Sequence, residues 1–384
     1  MSILKIKKDP LLIFLILFFS SCTPSKKLLL DKKIQKNFDR PYIRVLLLRS
    51  EEKVKIFSLS KIKISEKESR KIIYDLVRGD FIIYPGEIKE PVLIESWDSP
   101  LEIDGKPYRG TIELYNVMNK LVVVNVVKLS DYLQSVVPSE IPVSWPEEVL
   151  KVQAVATRTY AYYHLLKNNN KNLYDLDATT NFQVYKGLVA ESARTSKAIE
   201  QTEGEIMLYQ NKPILAYFHS TCGGGTTDDK SVWQGDDLPY LVPKRCNYCK
   251  NSPHYSWETI LTRDEMEKYL SQKYKKMGRI ENVSFEQEER RVVQVKIKHD
   301  YGTIKMTGNE FRLLFPFKKI KSTYFNSRQA GDQLILTGHG WGHGVGMCQW
   351  GAKGMAEYGR DYKSILKYYY QGIKIAKFRK KLHP

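Results

Sequence analysis

The stretch Tyr132-Leu-Gln-Ser-Val-Val-Pro-Ser-Glu-Ile-Pro-Val-Ser-Trp-Pro-Glu-Glu-Val-Leu-Lys-Val-Gln-Ala-Val-Ala-Thr-Arg-Thr-Tyr-Ala161 holds a change of pattern on which the reading of the chain turns. Ser144 with Glu147 three residues on has the spacing of a capping box, and Pro146 suits a first helical turn. Val149, Val152, Ala156, Tyr160 and Tyr163 then recur at helical spacing, which predicts a helix from about Trp145 to Leu166, ended by Asn168-Asn-Asn170. Ahead of it, Pro138 and Pro142 bracket Glu140 and predict a fixed, non-helical segment at the helix entrance. Ile141 and Trp145 are placed to desolvate that carboxyl, and desolvation raises a carboxyl pKa toward the range of a general acid at neutral pH. The competing reading is a carboxylate that interacts with the helix N-terminus.

Upstream, from Tyr42 to about Val127, short runs of branched and aromatic residues alternate with turn chemistry. Ile43-Arg-Val-Leu-Leu-Leu48, Phe81-Ile-Ile-Tyr84 and Leu121-Val-Val-Val-Asn-Val-Val127 are the clearest, separated by Tyr84-Pro-Gly86, Asp104-Gly105 and Arg109-Gly110. Downstream, a second helix is expected over Ala190 to Gln201, and strands near Ile206 to Leu208 and Ile214 to His219. The fold class expected is mixed α+β, with a β-rich region over 41–107, a helix-and-strand body over 108–378, and no internal repeat.

A chain of 384 residues with 42% hydrophobic and 12% aromatic content is globular rather than disordered. Its formal net charge of +18 favours anionic partners: nucleic acid, an anionic bilayer or the acidic bacterial wall. The first residues narrow that choice. Lys5, Lys7 and Lys8 precede an apolar stretch from Leu11 to Phe19, too short to span a bilayer comfortably, and Ser20-Ser21-Cys22 follow. This is the layout of a signal peptide over 1–21. The small residues before Cys22 resemble the lipobox of bacterial lipoproteins, with Phe19 in the place of the usual Leu, so Cys22 is the expected lipidation site. Ordinary cleavage nearby or an uncleaved anchor is the alternative. Lys-rich residues 22–40 read as a solvated tether and 379–384 as a basic tail. An exported body anchored in the cell envelope leaves nucleic acid aside as a partner.

The stretch around Glu140 resembles the central block of the SpoIID/LytB family. His219-Ser-Thr-Cys-Gly-Gly224, Pro239-Tyr-Leu241, Ser252-Pro-His-Tyr255 and Gly338-His-Gly-Trp-Gly-His-Gly-Val-Gly-Met-Cys-Gln-Trp-Gly351 resemble its later blocks in the same order, and coverage runs from about Tyr108 to Ile375. The resemblance implies a lytic transglycosylase acting on peptidoglycan glycan strands, with Glu140 as its acid/base and 1,6-anhydro-muramyl ends as products. Because the family includes amidase enhancers, it also implies an alternative: a non-catalytic wall-binding protein that activates a peptidoglycan amidase. Glycoside hydrolysis usually needs two carboxylates, whereas a transglycosylase can work with one. Asp177, Asp228 and Asp229 are the other acids considered, each in a run more typical of turns.

The Gly-rich block over 338–351 lacks the Lys-Ser or Lys-Thr ending of a phosphate-binding loop. The resemblance makes it line the cleft, with His339, His343 and Gln349 as candidates for sugar hydroxyl and acetamido groups, against a packed turn whose histidines bond internally. Gln183 and Tyr185, in Asp177-Ala-Thr-Thr-Asn-Phe-Gln-Val-Tyr185, are further cleft candidates, Tyr185 alternatively a core aromatic. Cys246-Asn-Tyr-Cys249 is a C-x-x-C pair with Cys222 and His219 upstream and His254 close behind. Three thiolates with His254 or His219 suit a structural tetrahedral zinc, the competing reading in an exported protein being a disulfide. Cys348 reads as a small buried apolar residue.

Overall fold

The computed structural model describes residues 42–377 except 77, 78, 181, 234, 236 and 317. The signal peptide, Cys22, the tether and the basic tail expected from the sequence lie outside the described residues.

The chain is mixed α+β, as the alternating patterns imply. A seven-stranded sheet runs in the spatial order Leu176–Asp177, Tyr42–Ser50, Lys120–Lys128, Thr111–Val117, Val92–Ser96, Ile62–Glu66, Ile72–Leu76. Its neighbours are antiparallel except for the first pair. The continuous apolar run of Lys120–Lys128 follows from its central place: Leu121, Val122, Val123 and Val124 are all fully buried, so both faces are covered. A four-stranded sheet of Gly79–Ile83, Val54–Ser58, Leu101–Ile103 and Lys106–Tyr108 packs into the same core.

The strand Lys120–Lys128 passes into the helix Leu129–Glu140 with Lys128 as its N-cap. Here the structure corrects the reading of Glu140 as non-helical. Leu129, Tyr132, Leu133, Val136 and Val137 have helical spacing and are all buried. Pro138 has no N–H for the Gln134 carbonyl, and the burial of the helix's apolar face outweighs that one lost bond. Pro142 then confines Ile141 to extended backbone, φ −136° and ψ 151°, and the helix stops at Glu140.

The long helix spans Glu147–Asn168, two residues later at each end than expected. Pro146 is its N-cap residue, with no side-chain cap, so the expected Ser144–Glu147 box does not form. Glu147 and Glu148 still place negative charge at its first turn. Val149, Val152, Val155, Ala156, Thr157 and Tyr162 are buried on several sides, which marks a core helix. The helix Ala193–Gln201 packs beside it, and the buried Arg158 ties the two together by donating to the Ile199 carbonyl at 3.1 Å.

A second hydrophobic core gathers Trp257, Leu270, Val295, Phe311, Phe325 and Leu336. It lies within two three-stranded sheets, Ser256–Thr262/Gln333–His339/Phe325–Ala330 and Ile280–Glu288/Arg291–His299/Gly302–Thr307. The last strand of this unit, Gln333–His339, delivers the Gly-rich block back to the main core. There the short strand Met347–Cys348 pairs in parallel with Phe218–His219 and leads into the helix Gln349–Glu357.

Candidate active site

Glu140 ends its helix where the backbone turns away, and a negative charge at a helix C-terminus is unfavourable. Its carboxyl is held by the segment 183–186, which runs back along the same helix. The Val184 N–H donates to Glu140 Oε1 at 2.8 Å. On either side, Tyr132 O–H donates to Gln183 Oε1 at 3.0 Å and Lys186 N–H donates to Ser135 Oγ at 3.0 Å. Tyr185 stacks on Tyr132 with ring centroids 5.2 Å apart, and its O–H donates to Asn125 Oδ1 at 2.7 Å. The Val184 N–H and the charge of Lys186 both favour the ionised form. Burial outweighs both, and the Glu140 pKa is raised from 4.5 to about 7. This is the range in which one carboxyl can give a proton and take one back.

Gln183 is fully buried and Tyr185 nearly so, with its hydroxyl already committed. Both therefore position the Glu140 segment rather than present polar atoms to a ligand, and Tyr185 is the core aromatic of the alternative reading. Gln349 comes to the same place from the far end of the chain. Its Nε2 donates to the Glu140 carbonyl at 3.4 Å and to Gln153 Oε1 at 3.3 Å. Trp350 meets Trp145 edge-on with centroids 5.1 Å apart, closing the same junction. The Glu140, Gln183 and Gln349 blocks are thus brought together.

The two histidines of the Gly-rich block are not part of that set. His343 Nδ1 accepts from the Val345 N–H at 3.1 Å, which leaves Nε2 to donate to the Phe218 carbonyl at 2.9 Å. Burial, with His219 and Arg312 nearby, holds its pKa well below the ordinary value. Both nitrogens are spent internally, which corrects its expected role as a sugar ligand. His339 is half-buried on the second unit beside Tyr324, 5.0 Å between centroids, with Nδ1 3.3 Å from Ser256 Oγ. The glycines of the block serve close approach. A Cβ on Gly346, at φ +70°, would lie 2.2 Å from the Tyr217 carbonyl oxygen. A groove of 420 Å³ lined by Gly224, Asp228, Lys244, Arg290 and Tyr324, among others, opens beside this block and does not include Glu140.

The three Asp alternatives accept backbone bonds, the first two within turns. Asp177 accepts from the Thr179 N–H at 2.8 Å, Asp228 from the Ser231 N–H at 2.7 Å and Asp229 from the Leu238 N–H at 3.3 Å.

The cysteines assemble differently from the expected three-Cys, one-His set. Cys222, Cys246, Cys249 and Cys348 are all buried, with their sulfurs within 4.8 Å of one another. His219 and His254 stand outside this group: His219 Nδ1 faces the Val345 carbonyl at 3.1 Å, and His254 packs on Trp341 at 4.1 Å between centroids. Cys348 arrives through the parallel pairing of His219 with Cys348, a tertiary contact that spacing along the chain does not reveal. Tyr132, Ser135, Gln153 and the Val184 amide were likewise missed, because their roles arise from a segment folding back on a helix. Only the helical spacing of Tyr132 and Val136 hinted at it.

The family profile described as stage II sporulation protein matches residues 117–209, which contain Glu140 and the segment that holds it. A profile described as a domain of unknown function matches 244–346, largely the second unit. An uncharacterized protein of Brachyspira hyodysenteriae is 36% identical over 77% of this chain and 79% of its own length. Stage II sporulation protein D of Bacillus subtilis is 31% identical over 69% of this chain and 79% of its own length. The amidase enhancer of Bacillus subtilis is 29% identical over 74% of this chain, the match spanning 46% of the enhancer. Matching in the blocks that build the Glu140 site and along most of a relative's length, the chain belongs to the SpoIID/LytB family, that of stage II sporulation protein D.

Proposed function

We propose that the protein is a lytic transglycosylase of peptidoglycan glycan strands, within the peptidoglycan-processing role that its family relatives support. The observation that carries the proposal is the desolvated carboxyl of Glu140, poised near pKa 7 and fixed by the Val184 amide. Protonated Glu140 gives its proton to the glycosidic oxygen as the anomeric C–O bond breaks. The resulting carboxylate takes the proton of the sugar's C6 hydroxyl, whose oxygen bonds to the anomeric carbon and closes a 1,6-anhydro ring. Protons balance over the cycle without a water nucleophile. That is why one carboxyl suffices, in contrast with the paired carboxylates of hydrolytic glycosidases. Strands without stem peptides are the proposed preference. The signal-peptide layout of residues 1–22 supports an envelope location with Cys22 as the proposed lipid anchor.

Purified wall glycan incubated with the protein should release anhydro-muramyl products by mass spectrometry, and Glu140→Gln should abolish them. Ordinary reducing ends would instead indicate a hydrolase. A second reading is favoured by the relative named amidase enhancer: the chain binds wall and stimulates a separate amidase. In that case Glu140→Gln leaves the stimulation intact and no anhydro products form with the wild-type protein.

A further inference from the structure

We infer that Cys222, Cys246, Cys249 and Cys348 together hold one zinc ion as four thiolates, and that the buried guanidinium of Arg291 is its counter-charge. The four sulfurs come from three separate places: the loop after the Phe218–His219 strand, the Cys-x-x-Cys turn, and the N-cap of the helix Gln349–Glu357. They converge to within 4.8 Å of one another, and Cys222 and Cys249 are 3.5 Å apart. Four thiolates at about 2.3 Å from a tetrahedral zinc stand about 3.8 Å from one another, so the group has the size of a mononuclear site. Disulfide partners sit at about 2.05 Å, and a pair of disulfides needs no fourfold convergence.

Hydrogen-bond donors surround the sulfurs. Cys348 Sγ accepts from the N–H groups of Cys222 and Gly351, each at 3.2 Å. Cys246 Sγ lies 3.2 Å from the Tyr369 hydroxyl. Donors aimed at sulfur stabilise the thiolate over the thiol, as the supporting shell of a metal site does. Gly351 is part of that shell: a Cβ there would lie 2.0 Å from the Tyr369 oxygen and 2.7 Å from Cys246 Sγ.

Charge supplies an independent observation. Zinc with four thiolates carries two negative charges, which in a buried setting need compensation. Arg291 is buried, and its Nη2 donates to the carbonyls of Cys222 at 3.1 Å and Gly225 at 3.0 Å. Its Nη1 is buried without a hydrogen-bond partner, and among the described residues no carboxylate pairs with it. Its other neighbour is the uncharged ring of Tyr324, with the guanidinium carbon 5.8 Å from the centroid. Neutral thiols or disulfides would leave this guanidinium buried and uncompensated. A thiolate-bound zinc neutralises half its own charge against it.

Binding releases the four thiol protons, so the site loads at neutral pH and empties in acid. Because Gln349 follows Cys348 directly and donates to the Glu140 carbonyl at 3.4 Å, the metal pins the Gly-rich block where it meets the glutamate helix. The inference itself concerns metal retention and stands apart from the glycan chemistry.

The full chain, purified under reducing conditions without chelator, should contain about one zinc per chain by elemental analysis. Modifying the cysteines with a mercurial should release that zinc in step with the loss of four thiols. Cys348→Ser should lower zinc retention against a competing chelator, and His219→Ala and His254→Ala should not. Arg291→Gln, which leaves every sulfur in place, should weaken retention by about tenfold or more. Wild-type protein that holds no zinc and takes up none when it is added overturns the assignment. So does zinc retention lost in His254→Ala and kept in Cys348→Ser.

Discussion

Val184 and Glu140 are bound to each other across the site, the Val184 N–H donating to Glu140 Oε1 at 2.8 Å. The bond fixes one carboxyl oxygen without setting the protonation state. A backbone donor lowers a carboxyl pKa, burial raises it, and burial prevails to give about 7. A group so balanced is half protonated at neutral pH, as one residue acting first as acid and then as base requires.

The first prediction concerns rate. The acid form of Glu140 starts the proposed reaction, so kcat should fall as pH rises through about 7, the shifted value. Glu140→Gln should lower kcat by roughly 10²–10⁴-fold, the usual range for a lost acid/base group. Anhydro-product formation followed by mass spectrometry across pH 5 to 9, in steps of about one unit, reads both effects. A rate independent of pH would remove Glu140 from the proton-transfer step.

The same shift predicts stability. The folded pKa of about 7 lies above the ordinary value of 4.5 that the unfolded chain has, so the folded state keeps the proton longer as pH rises. Glu140 therefore destabilises the fold progressively as pH rises from 4.5 to 7, and constantly above that. Glu140→Gln removes the ionisation, and at pH 8 it should be more stable than wild type by up to about 3 kcal/mol. Below about pH 4.5 the difference should vanish, which urea unfolding at the two pH values can check.

Tyr132 tests the positioning of the segment. Tyr132→Phe keeps the ring that stacks on Tyr185 and removes the O–H that bonds Gln183 Oε1. Gln183 is fully buried and its Nε2 already lacks a partner, so losing this donor should cost about 1–3 kcal/mol. Activity should fall as the 183–186 segment loosens, while the chemical form of the products stays the same. A fully stable, fully active Tyr132→Phe would show that Gln183 is not needed to hold Val184 in place.

Two glycines separate backbone strain from steric contact. Gly359 has φ +79° with nothing within 4 Å of an added Cβ, whereas Gly346, at φ +70°, would put that carbon 2.2 Å from the Tyr217 oxygen. Gly359→Ala should cost about 1 kcal/mol, from the left-handed backbone alone. Gly346→Ala should cost several times as much and disturb the Met347–Cys348 pairing, seen as a lower Tm than Gly359→Ala. Equal shifts would mean the loop can move away from Tyr217.

Legibility followed the range of the interactions. The long helix and the strand Lys120–Lys128 were readable because periodicity and apolar runs act over a few residues. The helix Leu129–Glu140 was obscured by its own Pro138, although Leu129, Tyr132, Leu133, Val136 and Val137 carry the spacing. Burial of that apolar face outweighs the one backbone bond the proline forgoes, and only the placed helix showed it. The capping box failed for a similar reason: Pro146 took the N-cap and left Ser144 outside the helix.

The sequence by itself determined that the fold is mixed α+β and that Glu140 lies between two prolines ahead of the long helix. It also placed cysteines and glycines in clusters, through local chemistry and the resemblance of ordered blocks. Tertiary structure alone decided which groups meet. It brought Val184 onto the Glu140 carboxyl, turned His343 inward, and joined Cys348 to three cysteines through a parallel strand pair. The physical reason is that hydrogen bonds, desolvation and sulfur convergence depend on distances through space. Spacing along the chain fixes those distances only within a turn or a hairpin.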